Sequence, residues 1–166
     1  MELDGYVFRG GKLLRTEGET QAVEAERGEL AQLYADLRLP NAAIVEDCLA
    51  KSEDYYAAGN FRDCIGNARH YTEQILEDVA TEWSKRPGAP ALTIAPNAPA
   101  AGPCRNYLQT VGVLTADERN SFKELHGLFS GTGGHPSLPE RDAARVYRRL
   151  ATSMGFYVLL RYQAMK

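Results

Sequence analysis

Between Phe61 and Trp83 a residue suited to a buried helix face recurs every third or fourth position: Phe61, Ile65, Ala68, Thr72, Ile75, Leu76, Val79 and Trp83. That is the period of an amphipathic α-helix, here about six turns long. Just before it stand Gly59 and Asn60, which stop a preceding helix and turn the chain within two residues. The preceding segment has its own stripe of Ile44, Val45, Cys48, Leu49, Ser52, Tyr55 and Tyr56. Two amphipathic helices joined by so tight a turn run antiparallel. Residues 41–58 and 61–84 are therefore expected to form a helical hairpin around which the rest is arranged.

The remaining segments read as further helices. Val23, Leu30, Leu33, Tyr34 and Leu37 predict a helix from about Thr20 to Leu37. Pro40 closes that segment, because a residue before proline avoids the helical region. Asn41 is expected to cap the next helix. Pro87, Pro90, Pro96, Pro99 and Pro103 make residues 86–103 a semi-rigid connection. A short helix follows from Arg105 to about Gly112. Thr115 and Glu118 have capping-box spacing and begin a helix through Phe122, Leu125, His126 and Phe129. Pro139 suits the first turn of a final helix reaching to about residue 164. At the start, Tyr6–Arg9 and Lys12–Arg15 flank Gly10-Gly11, the pattern of a β-hairpin. The fold class is all-α: a helical bundle of about five helices with a small N-terminal β-hairpin. Residues 1–38 form the hairpin-and-helix extension and residues 39–166 the bundle. Leu49, Ile65, Ile75, Leu76, Leu125, Leu150 and Met154 are expected in the core.

Composition narrows the function more by exclusion than by indication. At 166 residues, with 44% hydrophobic and 25% charged residues, the chain suits one domain. Cys48, Cys64 and Cys104 are odd in number and lack close pairing. They read as buried thiols in a reducing compartment. The opening residues lack a basic start followed by an apolar run, and no stretch approaches the roughly 20 apolar residues of a membrane span. A cytoplasmic location with no membrane contact is expected. The histidines and cysteines do not have metal-ligand spacing, and neither a Gly-x-Ser-x-Gly elbow nor a Gly-x-Gly-x-x-Gly turn occurs. No metal and no cofactor are expected. Net charge is −3, but its distribution is uneven. The last helix carries Arg141, Arg145, Arg148, Arg149, Arg161 and Lys166. That face either meets an anionic partner or is simply solvated.

Three groupings carry possible chemistry. Arg69 and Glu73 are four apart on the long helix and share a side of it; a local ion pair is the plainer reading, and His70 is expected to point elsewhere. Arg119, followed by Asn120, and His126 are seven apart, so both project from one face, about 10 Å apart along the axis. Two such side chains can converge on one phosphate. Gly131, Gly133 and Gly134 precede His135 and Pro136, which gives either a tight connection or an anion-binding nest.

The order of these segments, with Leu39-Pro40-Asn41, Asn67-Ala68-Arg69-His70-Tyr71-Thr72-Glu73 and His126-Gly127-Leu128-Phe129-Ser130-Gly131-Thr132-Gly133-Gly134-His135-Pro136, resembles the HEPN superfamily of helical domains. The resemblance is to prokaryotic members linked to abortive infection and other conflict systems, and it covers about residues 39–166. Active members carry an Arg, four to six residues, then a His, and cleave RNA without metal across a dimer. Arg119 through His126 matches that spacing at its upper limit, whereas His135 has no Arg four to seven positions upstream. The resemblance implies Arg119, His126 and His135 as candidate catalytic residues and Arg69, Arg145, Arg148 and Arg149 as candidate RNA- or nucleotide-binding residues. Arg69, Glu73 and His135 form a candidate structural polar network. It implies a homodimer, with RNA or a nucleotide as ligand and a conflict-system protein as a further partner. Three functions stay open: a noncatalytic RNA- or nucleotide-binding and assembly module, a metal-independent endoribonuclease, and a scaffold without a ligand.

Overall fold

The computed structural model describes residues 2–3, 6–9, 12–15, 17–130 and 140–166, with side chains over 27–128 and from 140 onward. Six helices are present among them: α1 (Glu17–Leu37), α2 (Ala42–Ala57), α3 (Phe61–Ser84), α4 (Ala101–Thr110), α5 (Ala116–Ser130) and α6 (Glu140–Ala164). The chain is a helical bundle. Three short N-terminal segments, β1 (Glu2–Leu3), β2 (Tyr6–Arg9) and β3 (Lys12–Arg15), lie in antiparallel register. The Gly10-Gly11 turn expected there lies outside the described residues, and the N-terminal hairpin remains an expectation.

Helix α3 is the axis of the bundle. It packs along α2 on one side and α6 on the other, and α4 and α5 also meet it. Its inward positions, Cys64, Ala68, Tyr71, Ile75, Leu76, Val79 and Ala80, are all buried. The α2–α3 hairpin forms over the expected residues, and Gly59 takes the positive φ of 79° that its tight turn requires. All three cysteines are free and buried, and burial pushes Cys104 up to about 12, so none is a ready nucleophile. Among the described residues, no helix is long and apolar enough to cross a membrane.

Several expectations are corrected in detail. Helix α1 begins at Glu17 rather than Thr20. Helix α4 begins at Ala101 and takes Pro103 into its first turn, where a missing N–H costs no hydrogen bond. The connection before it is anchored by the Tyr107 hydroxyl, which donates to the Pro90 carbonyl at 2.8 Å. Asn41 precedes α2 but does not cap it through its side chain. It adopts φ 63°, and its Nδ2 donates instead to Asp78 Oδ1 on α3 at 2.8 Å. Gln74 Nε2 donates to the same oxygen at 2.9 Å, and the Tyr34 hydroxyl to Oδ2 at 3.4 Å. This buried carboxyl thus ties α1, the start of α2 and α3 together. The Thr115–Glu118 capping box forms: the Thr115 amide donates to Glu118 Oε2 at 2.7 Å, and the Glu118 amide to Thr115 Oγ1 at 3.2 Å.

Leu150 is the one expected core residue that turns outward, at 41% exposure. Ile65 and Met154 are partly buried against the core, and Leu49, Ile75, Leu76 and Leu125 are buried. Helix α6 has two apolar stripes. The inner one, with Ala144, Tyr147, Ala151, Gly155, Val158 and Tyr162, faces the bundle. Its small residues let α6 ride close over α3: a Cβ on Gly155 would stand 2.5 Å from Tyr71 Cε1. Leu150 belongs to the outer stripe with Val146, Tyr157 and Leu160.

Candidate anion-binding site

Polar residues distant in sequence gather where α3, α4 and α5 meet. Each arrives there for a local reason. Arg69 and Glu73 are one turn apart on α3 and share a face. The capping box fixes the start of α5, and buried Phe122 and Leu125 set its rotation against the bundle. His126, next to Leu125, is thereby brought to Glu73. Pro103 in the first turn of α4 places Arg105 two residues further on, beside fully buried Cys104.

Glu73 is the single carboxylate of the group. Its Oε1 lies 2.7 Å from His126 Nε2 and 3.4 Å from Arg69 Nε, and its Oε2 lies 3.3 Å from His70 Nδ1. Three cationic or titratable partners therefore share one negative charge. The Arg69 contact is long and poorly aligned, and Arg69 Nε is buried with no hydrogen-bond partner. Arg105 is half-buried and has no hydrogen bond or ion pair with any described residue. Burial first, and then the neighbouring Arg119, pulls its pKa below the usual arginine range, with Glu73 opposing. Arg119 itself is aimed by two side-chain amides: its Nε donates to Asn106 Oδ1 at 2.9 Å and its Nη1 to Asn120 Oδ1 at 2.8 Å.

Between these helices is a pit of about 220 Å³, mouth included, lined by Arg69, Thr72, Glu73, Arg105, Phe122 and His126 among others. It has room for about one water-sized group. Its lining joins apolar Leu76, Phe122 and Leu125 to Arg69, Arg105, Glu73 and His126, and guanidinium groups placed so can bind an oxyanion. Among the described residues, no group of histidine, cysteine and carboxylate side chains is arranged to hold a metal.

The expected residues are distributed as follows. Arg69, Glu73 and His126 come together. Arg119 lies beside the pit rather than in its wall and is held by asparagines, not by His126. His70 does not point away but shares Glu73. His135 lies outside the described residues, and its place in a polar network with Arg69 and Glu73 remains an expectation. Arg145, Arg148 and Arg149 do not line the pit. Arg148 instead stacks its guanidinium over the Tyr56 ring, 5.0 Å from the centroid, and Arg145 lies 4.0 Å from Asp142. Arg105 was not anticipated as a site residue, because in the sequence it reads only as the start of a short helix after the proline-rich connection. Its position two residues after a proline able to open a helix was the available signal. No family model, no curated protein and no solved structure matches the chain.

Proposed function

We propose that the chain is a HEPN-like helical module of a prokaryotic defence or conflict system that binds RNA or a nucleotide and assembles with itself, without catalysis. One observation carries the reading. Arg69 and Arg105 line one pit from two helices with Arg119 beside it, and among the described residues Glu73, paired with Arg69, is the one carboxylate in an ion pair with any of them. Folding alone does not favour partly buried arginines without carboxylate partners, since desolvating a charge costs free energy. An anionic ligand restores the balance, and phosphate suits the forked guanidinium geometry.

Assembly is supported by the outer stripe of α6. Val146, Leu150, Tyr157 and Leu160 are between 38% and 52% exposed and lie along one helix face. The pattern is nearly symmetric about Ser153. Two copies of α6 crossing antiparallel there set Leu150 of one against Tyr157 of the other, and Val146 against Leu160. A self-complementary patch of this kind suits a two-fold dimer.

A second reading, the metal-independent endoribonuclease, is favoured by the His126–Glu73 pair. A carboxylate at 2.7 Å orients an imidazole, as a general base requires. Incubating the full chain with a labelled single-stranded RNA separates the readings. The binding module shifts the RNA in a salt-dependent way and leaves it intact. Cleavage that His126→Ala abolishes supports the enzyme, and no shift at low salt leaves only a scaffold.

A further inference from the structure

We infer that the pit between α3, α4 and α5 is a seat for one oxygen of a phosphate group, with Arg105 as its principal donor. This rests on the reading above and adds to it a ligand class and a residue. Three observations converge. Arg105 is a half-buried guanidinium without a partner among the described residues. Arg69, also in the wall, keeps its Nε buried and without a hydrogen bond. The pit has room for about one water-sized group, the size of one phosphate oxygen.

The chemistry favours phosphate over a carboxylate ligand. Two guanidinium groups from different helices, with Arg119 beside them, present donors from several directions. A tetrahedral oxyanion uses such donors better than a planar carboxylate does. Glu73 also lines the pit, and its negative charge works against any anion there, so it limits the affinity of the seat. Burial and Arg119 disfavour the Arg105 charge and Glu73 only partly offsets them, so an anionic ligand in the pit would favour it further. Replacing it by a neutral residue therefore leaves the fold as stable as before or more so, while binding is lost. A structural arginine behaves in the opposite way.

The test uses the full chain with two probes: inorganic phosphate, followed by calorimetry, and a fluorescein-labelled single-stranded RNA, followed by anisotropy at low salt. Arg105→Gln is compared with Lys123→Gln, which removes the same charge from an exposed position on α5 outside the pit. Arg105→Gln is expected to weaken both probes by about tenfold or more, as loss of a charge-assisted hydrogen bond does. Its melting temperature is expected to be unchanged or raised. Lys123→Gln is expected to change either affinity by less than about twofold. Arg105→Lys, which keeps the charge but loses the fork, is expected to recover only part of the affinity and serves if the glutamine variant fails to fold. RNA bound equally by the wild type and both Arg105 variants overturns the seat and leaves the RNA reading standing. Phosphate bound through Arg105 with no RNA binding at all supports the seat and sinks the RNA reading. Neither probe binding sinks both.

Discussion

His126 Nε2 and Glu73 Oε1 meet at 2.7 Å, 53 positions apart in the chain, and join α5 to α3 at the rim of the pit. Both side chains are partly exposed, at 31% and 24%, so water screens the pair. Glu73→Gln is expected to cost no more than about 1 kcal/mol of stability, or about 2–4 °C in melting temperature for a chain of this size. The same change removes the one negative charge paired at the cluster among the described residues. RNA affinity is expected to rise by about two- to fivefold, since a nearby like charge is removed from the ligand's path. Thermal melts and anisotropy on one preparation check both effects; weaker RNA binding by a well-folded variant counts against the assignment of the site.

Asp78 is the buried hinge of three elements, and burial pushes its carboxyl above the ordinary carboxylate range despite hydrogen bonds from Asn41, Gln74 and Tyr34. The sign follows from linkage. Because the folded state holds this proton more tightly than the unfolded chain, the ionised form is a cost to folding. The cost is absent below the ordinary pKa of about 3.9 and grows as pH rises through it toward the elevated folded value. Asp78→Asn keeps an acceptor for Asn41 and Gln74 and removes that cost. The variant is expected to match or exceed the wild type at pH 7, with the difference vanishing toward pH 4. Asp78→Ala strands the donors and is expected to lose about 1–3 kcal/mol. Denaturant titrations across pH distinguish the two; an asparagine variant less stable than wild type at pH 7 would contradict the account.

Gly155 is where α6 comes closest to α3. A methyl group there would stand 2.5 Å from Tyr71 Cε1 and 2.6 Å from Ile75 Cδ1. Glycine to alanine inside a helix ordinarily gains about 1 kcal/mol from propensity. Overpacking against two fully buried side chains costs about 1–3 kcal/mol, and here it is expected to win. Gly155→Ala should therefore melt lower than the wild type despite its better helix former. A higher melting temperature would show that α6 can move outward at no cost.

Leu150 belongs to the outer stripe of α6 and stands 41% exposed. Leu150→Asp is expected to leave the monomer fold intact, with a change within about 0.5 kcal/mol. In light scattering it should convert a dimer at tens of micromolar to a monomer. A wild-type chain that is already monomeric at that concentration would remove the assembly part of the proposal.

How much of this was legible in the sequence depends on the range of the interaction involved. The α2–α3 hairpin and the Thr115–Glu118 cap were readable because period, turn and cap are set by residues within a few positions of each other. Asn41 does hold the N-cap position, but not with its side chain: the side-chain preference read from sequence is local, while its actual partner, Asp78, is 37 residues away. Leu150 was misplaced because α6 carries two apolar stripes, and periodicity alone does not say which faces α3. Gly155, with no side chain to count, decides it. At the site, Arg69, Glu73, Arg119 and His126 could be named from spacing. Their meeting with Arg105 could not, because it depends on how α4 and α5 pack on α3. His135 lies outside the described residues.

The salt dependence of RNA binding tests the central claim most directly. Each phosphate contact to a single strand contributes a slope of about −0.7 in log K against log salt. With Arg69 and Arg105 sharing one phosphate at the pit and Arg119 meeting a second beside it, the predicted slope is about −1.4, so affinity should fall by roughly sevenfold between 50 and 200 mM salt. Arg119→Gln should weaken binding at every salt concentration and bring the slope nearer zero by about 0.7. A full chain that does not bind RNA at 50 mM salt, or one whose slope Arg119→Gln leaves unchanged, would contradict the account.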